Sequence, residues 1–141
     1  MSKIQLPVEE YTTPCPISVT EEETYEKIVA LMEENNIRHL PVVIDDKPLG
    51  IISRRDLMPL EKFDSDRSLT AKDLMRAEPY CVLSTESLGN VAFELSQRKI
   101  GSAVVIDQDE KMVGIFTSTD ALNALIEILR GDFEEGFGPI A

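Results

Sequence analysis

Gly50-Ile51-Ile52-Ser53-Arg54-Arg55-Asp56-Leu57 (GIISRRDL) returns 64 positions later as Gly114-Ile115-Phe116-Thr117-Ser118-Thr119-Asp120-Ala121 (GIFTSTDA). A glycine, two apolar residues, a hydroxyl and an aspartate keep their spacing while their neighbours change. A period of this length marks a repeated supersecondary unit, so it should run through the rest of the chain. It does: at a shift of 63, Val19 falls on Val82, Tyr25 on Leu88, Ile28 on Val91, Met32 on Leu95, Ile37 on Ile100 and Val42-Val43 on Val105-Ile106. The matches are apolar, so what repeats is a set of buried faces. One extra residue in the second polar turn (Gln108-Asp109-Glu110-Lys111 against Asp45-Asp46-Lys47) lengthens the shift to 64, an insertion that an exposed turn tolerates.

Each copy reads as strand, helix, strand, strand, helix. In the first, a short strand near Ile17–Val19 leads to Thr20-Glu21-Glu22-Glu23, which has capping-box spacing. A helix follows with Tyr25, Ile28, Val29 and Met32 on one side. Two β-rich runs, 40–44 and 49–52, flank the turn Asp45-Asp46-Lys47-Pro48 and predict a hairpin, and a second helix starts after Ser53. The second copy predicts a strand at 81–83, a helix over 87–98, strands at 103–106 and 112–116, and a helix over 119–129. That last helix is apolar on more than one face and needs two packing partners. The polar stretch 59–70 reads as the connection between copies, and the acidic, glycine-rich 131–141 as a mobile tail.

Composition limits what such a chain does. With 141 residues, two halves of this size should share a core rather than bury one each. A hydrophobic content of 43% predicts a globular protein, and a net charge of −12 sets a field that repels nucleic acid and anionic membrane. No apolar run suits a membrane helix and no secretion signal opens the chain, so a cytoplasmic location is expected. Cys15 and Cys81 are expected to be reduced, and two cysteines with the single His39, all far apart, offer no metal set. Neither a nucleophile–base pair nor a Walker loop is visible, so catalysis is not expected.

The IRHLPVV run at 37–43, the twice-repeated Gly-apolar-apolar-Ser/Thr-x-x-Asp motif and the element order resemble a pair of CBS domains (named for cystathionine beta-synthase), or Bateman module. The resemblance implies an α+β fold of two β-α-β-β-α repeats packed about a pseudo-twofold axis. Its expected divisions are a first repeat over 8–60, a linker over 61–70, a second repeat over 71–130 and the tail 131–141. It implies a regulatory module that binds an adenine nucleotide or adenosyl ligand (AMP, ADP, ATP or S-adenosylmethionine) in clefts between the repeats, with no required cofactor. A homodimer formed through helices and an unidentified target protein are the implied partners. A nucleotide-free dimerising scaffold is the alternative.

The motif residues suit that chemistry. A ribose offers two hydroxyl donors side by side and a carboxylate two acceptor oxygens, so Asp56 and Asp120 are the candidate ribose readers. Ser53 and Thr117, where a strand turns into a helix, are candidates for phosphate. The resemblance implies composite clefts: Ser53 and Asp56 with Met75, Tyr80 and Ile100, and Thr117 and Asp120 with Thr12, Ile17 and Ile37. Arg38 and His39 match phosphate-reaching positions, but Gly101 and Ser102 stand there in the second copy. Arg54 and Arg55 likewise face Ser118 and Thr119, so the two clefts should be unequal, with the Asp56 cleft favouring phosphorylated ligands. Ser53-x-x-Asp56 and Thr117-x-x-Asp120 are equally the spacing of two helix caps.

Overall fold

In the computed structural model, which describes residues 5–14, 17–62 and 68–131, the repeat extends to its irregularities. The strands are β1 (Thr13–Pro14), β2 (His39–Ile44), β3 (Lys47–Ser53), β4 (Arg76–Ala77), β5 (Cys81–Leu83), β6 (Ser102–Ile106) and β7 (Met112–Thr117). The helices are α1 (Tyr25–Asn35), α2 (Arg54–Leu57), α3 (Ala71–Leu74), α4 (Leu88–Arg98) and α5 (Ser118–Ile126).

Helices α1 and α4 begin and end alike. Thr24 Oγ1 accepts the Lys27 N–H and Ser87 Oγ the Asn90 N–H. The sequence placed the first cap at Thr20; instead Thr20–Glu23 closes as a turn, with the Glu23 N–H on the Thr20 carbonyl. Thr24 immediately precedes the buried stripe of Tyr25, Ile28 and Met32, and that stripe fixes where the helix starts. Both helices stop at a left-handed residue, Asn36 (φ 51°) and Lys99 (φ 55°). Ile37 and Ile100 then donate back to the Met32 and Leu95 carbonyls, a Schellman closure in each half.

The hairpins differ where the insertion falls. Ile44 pairs with Lys47 across Asp45 and Asp46, both at positive φ (51° and 66°), as a two-residue turn that matches strand twist requires. Lys47 and Pro48, read from the sequence as turn, are therefore strand. In the second hairpin Asp107 bonds to Lys111 around three residues that end in left-handed Glu110 (φ 65°), the usual three-residue alternative. Both hairpins carry a register shift at the same place, between Val42 and Val43 and between Val105 and Ile106.

Two expected elements are shorter than their counterparts. The strand near Ile17–Val19 is reduced to one parallel bridge between Val19 and Val42, whereas β5 runs parallel to β6 over three residues. In the second half the Val104 N–H reaches the Tyr80 carbonyl; the equivalent residue in the first half is Pro41, which has no N–H to give. Likewise α2 spans four residues before a 3₁₀ turn over Met58–Lys62. Pro59 is incompatible with continuing the α-helix there.

The halves trade their opening segments. One sheet runs β2-β3-β4 and the other β1-β7-β6-β5, so β1, from the start of the chain, closes the second half's sheet and β4 closes the first half's. The exchange is symmetric: Val8 and Glu9 donate to the Glu86 and Ser84 carbonyls, as Ala71 and Lys72 donate to Glu23 and Glu21. The cores follow this exchange. Val8 is buried with Val82, Leu88, Val91, Leu95, Val105 and Phe116, and Ala71 with Val19, Ile28, Met32, Leu40, Val42 and Ile52. Each half needs the other's leading segment to complete its core.

Candidate functional site

The exchange brings the two repeated motifs into contact with the opposite repeat. A Cβ on Gly50 would lie 2.9 Å from the Arg76 carbonyl oxygen and would overlap the Met75 side chain; one on Gly114 would overlap Thr12 and the Thr13 carbonyl. Neither glycine is at positive φ. The motif keeps glycine because an incoming strand lies against that position.

Side chains alternate along those short strands, so Met75 and Thr12 cover the glycines while the next residue, Arg76 or Thr13, reaches the aspartate. The Arg76 guanidinium donates from Nε to Asp56 Oδ2 at 2.9 Å and from Nη2 to Oδ1 at 3.2 Å. The same carboxylate raises the already high pKa of Arg76, through the hydrogen bonds first and its charge second. At the equivalent place Thr13 Oγ1 donates to Asp120 Oδ1 at 3.1 Å.

The helix starts differ in the same sense. Thr117 and Asp120 form a reciprocal capping box, the Thr117 N–H on Asp120 Oδ2 at 2.9 Å and the Asp120 N–H on Thr117 Oγ1 at 3.3 Å. Ser53 caps alone, Oγ accepting the Arg55 N–H at 3.2 Å, and its aspartate turns to Arg76 instead. Capping therefore accounts for Asp120 in part and does not account for Asp56.

The other candidates fall into place around these two points. Arg38 accepts the Arg54 N–H on its carbonyl, and Arg54 is drawn towards Glu33 at 3.7 Å. Arg55 is exposed. His39 is half-buried, with its ring against Gly101 of the other half; a Cβ there would stand 3.0 Å from Nε2. Burial first and the Arg38 charge second lower the His39 pKa, with Asp56 opposing them.

Met75, Ile17 and Ile37 pack on the first core, and Tyr80 and Ile100 on the second. Arg98 lies over the Tyr80 ring, 4.3 Å from its centroid, and burial raises the Tyr80 phenol pKa, with Glu94 adding to the rise. Cys81 is a free thiol with its pKa raised by burial, and Cys15 lies outside the described residues.

Sequence reading missed Arg76 and Thr13, each one residue beyond a residue it named. The signal was available, since the 63-residue shift superposes them, but the apolar alignment starts only at Val19 and Val82.

A pair of α+β repeats that exchange opening segments, with a hydroxyl and an aspartate at each strand-to-helix turn, defines the class. The chain belongs to the CBS domain family, whose model matches residues 8–60 and 71–127. An uncharacterized protein of Methanocaldococcus jannaschii is 30% identical over 115 residues, covering 81% of this chain and 36% of its own. Among solved structures, CBSX2 in complex with AMP is 26% identical with a TM-score of 0.79, covering 88% of this chain and 98% of its own. A Vibrio cholerae protein described as the acetoin utilization protein AcuB is 28% identical with a TM-score of 0.80, covering 96% of this chain and all of its own (100%). The chain spans less than half the length of the curated relatives it matches. Among the described residues, no helix is long and apolar enough to cross a membrane.

Proposed function

We propose that the chain is a regulatory module that binds an adenosine-containing ligand in composite clefts between the repeats and passes the binding state to a partner protein. The observation that carries this reading is the crossed pairing of Asp56 with Arg76 and Asp120 with Thr13. Each aspartate stands where one repeat's helix meets the other repeat's opening strand, so a ligand held there touches both halves. The similarity to a structure holding AMP supports the ligand class. Ser53 and Asp56, with Met75, Tyr80 and Ile100, form one cleft; Thr117 and Asp120, with Thr12, Ile17 and Ile37, form the other. Arg38, His39, Arg54 and Arg55 give the first its positive field. A ligand that favours one arrangement of the halves shifts their packing by its difference in affinity.

Two copies meet through α4 and α5. Phe93, Leu122, Leu125 and Leu129 are 60%, 58%, 49% and 57% exposed on that face, an apolar surface of the kind that marks an interface. The same face favours the second reading, a scaffold that dimerises without nucleotide.

Thermal melting with AMP, ADP, ATP or S-adenosylmethionine separates the two. The sensing reading predicts a melting temperature that rises with one of them in proportion to the logarithm of its concentration; the scaffold predicts no shift. With no Trp and 3 Tyr the chain absorbs weakly near 280 nm, so a co-purified adenine nucleotide would also dominate the spectrum.

A further inference from the structure

The two aspartates hold different competitors. At Asp120 a ribose meets the Thr13 hydroxyl, a neutral donor on a rotatable bond. At Asp56 it meets a guanidinium already bonded to both carboxylate oxygens. A cis-diol that binds Asp56 replaces two charge-assisted bonds with two weaker ones and leaves Arg76 to water. If the ligand carries a phosphate, the freed guanidinium regains a bidentate anionic partner, for which its planar fork is suited. The Arg76 side chain is 72% exposed and its stem can turn, while Asp56 is 28% exposed.

We propose that Arg76 sets the ligand class of the Asp56 cleft: it competes with the ribose for Asp56, so this cleft admits phosphorylated adenosine ligands and disfavours unphosphorylated nucleosides, while the Thr13 cleft discriminates far less. The inference rests on the adenosine-ligand reading above. Arg76 acts as a specificity residue through Asp56, and its exchange for Thr makes the two clefts alike at this position.

The test is calorimetric titration of AMP and of adenosine into the full chain, Arg76→Thr, Arg76→Gln and Thr13→Arg, each checked for folding by circular dichroism. In the unaltered chain the AMP-to-adenosine affinity ratio should differ between two sites. Removing Arg76 should lower the higher ratio by roughly fivefold or more, the scale of a partly exposed bidentate pair. Thr13→Arg should raise the lower ratio.

Salt gives an independent readout. Screening the Arg76–Asp56 pair should strengthen adenosine binding at that cleft while weakening AMP binding, and Arg76→Thr should abolish the first effect. If AMP and adenosine bind but both Arg76 variants leave the ratio and its salt dependence unchanged, the inference is wrong and the ligand reading survives. Binding of neither compound to any of the four proteins overturns both.

Discussion

The Asp56 and Asp120 turns come from one repeated sequence and have become different sites. Asp120 is tied into its own helix start by a capping box and touched by a threonine hydroxyl. Asp56 leaves its helix capped by Ser53 alone and is held by an arginine from across the seam. The repeat conserves where the carboxylate stands, and the neighbour supplied by the other half decides what it does there.

The glycines test that architecture most severely. Gly114→Ala places a Cβ against the Thr13 backbone, which cannot give way without parting β1 from β7. It should lose about 3 kcal/mol by denaturant unfolding. Gly50→Ala meets the movable Met75 side chain and, at 2.9 Å, the Arg76 carbonyl, and should lose about 1–2 kcal/mol. Equal losses would mean that the incoming strands seat alike in both halves.

Stability of the aspartate variants should divide in the same direction. Asp120→Ala removes half a capping box and should cost about 1 kcal/mol. Asp56→Ala removes a pair whose arginine is largely exposed, and should cost no more than about 0.5 kcal/mol once solvent screening is counted.

How far these differences were legible depends on which interactions a linear sequence records. The apolar period gave both long helices and both hairpins, because Tyr25/Leu88, Ile28/Val91 and Met32/Leu95 must face a core wherever it lies. The motif located Asp56 and Asp120 and the glycines beside an incoming strand. The exchange of 5–14 and 69–77 between halves was not legible: Val8 and Ala71 read as the first residues of their own repeats, and nothing local says they belong to the other core. Arg76 was missed for the same reason, since its partner lies 20 residues earlier, in the other repeat.

His39 offers a smaller contrast, because Ser102 holds the equivalent place. The folded chain keeps the imidazole pKa below 6.5, chiefly by burial. As pH falls, the unfolded chain takes up the proton first, so this residue's contribution lowers stability from about pH 7 downwards through the folded-state pKa. His39→Gln should flatten that part of the curve of unfolding midpoint against pH; an unchanged slope would show that His39 does not titrate differently on folding.

The smallest contrast is at the helix ends. Lys99 holds a left-handed conformation that asparagine tolerates better, so Lys99→Gly should stabilise by about 0.5 kcal/mol and Asn36→Gly by less, measured as unfolding midpoints.

The most direct measurement of the central claim, two composite clefts of unequal strength, is an AMP titration of Asp56→Ala and Asp120→Ala beside the unaltered chain. The unaltered chain should bind AMP in two steps, the tighter one lost in Asp56→Ala and kept in Asp120→Ala. Loss of the tighter step in Asp120→Ala with its retention in Asp56→Ala, or no AMP binding by the unaltered chain, would contradict it.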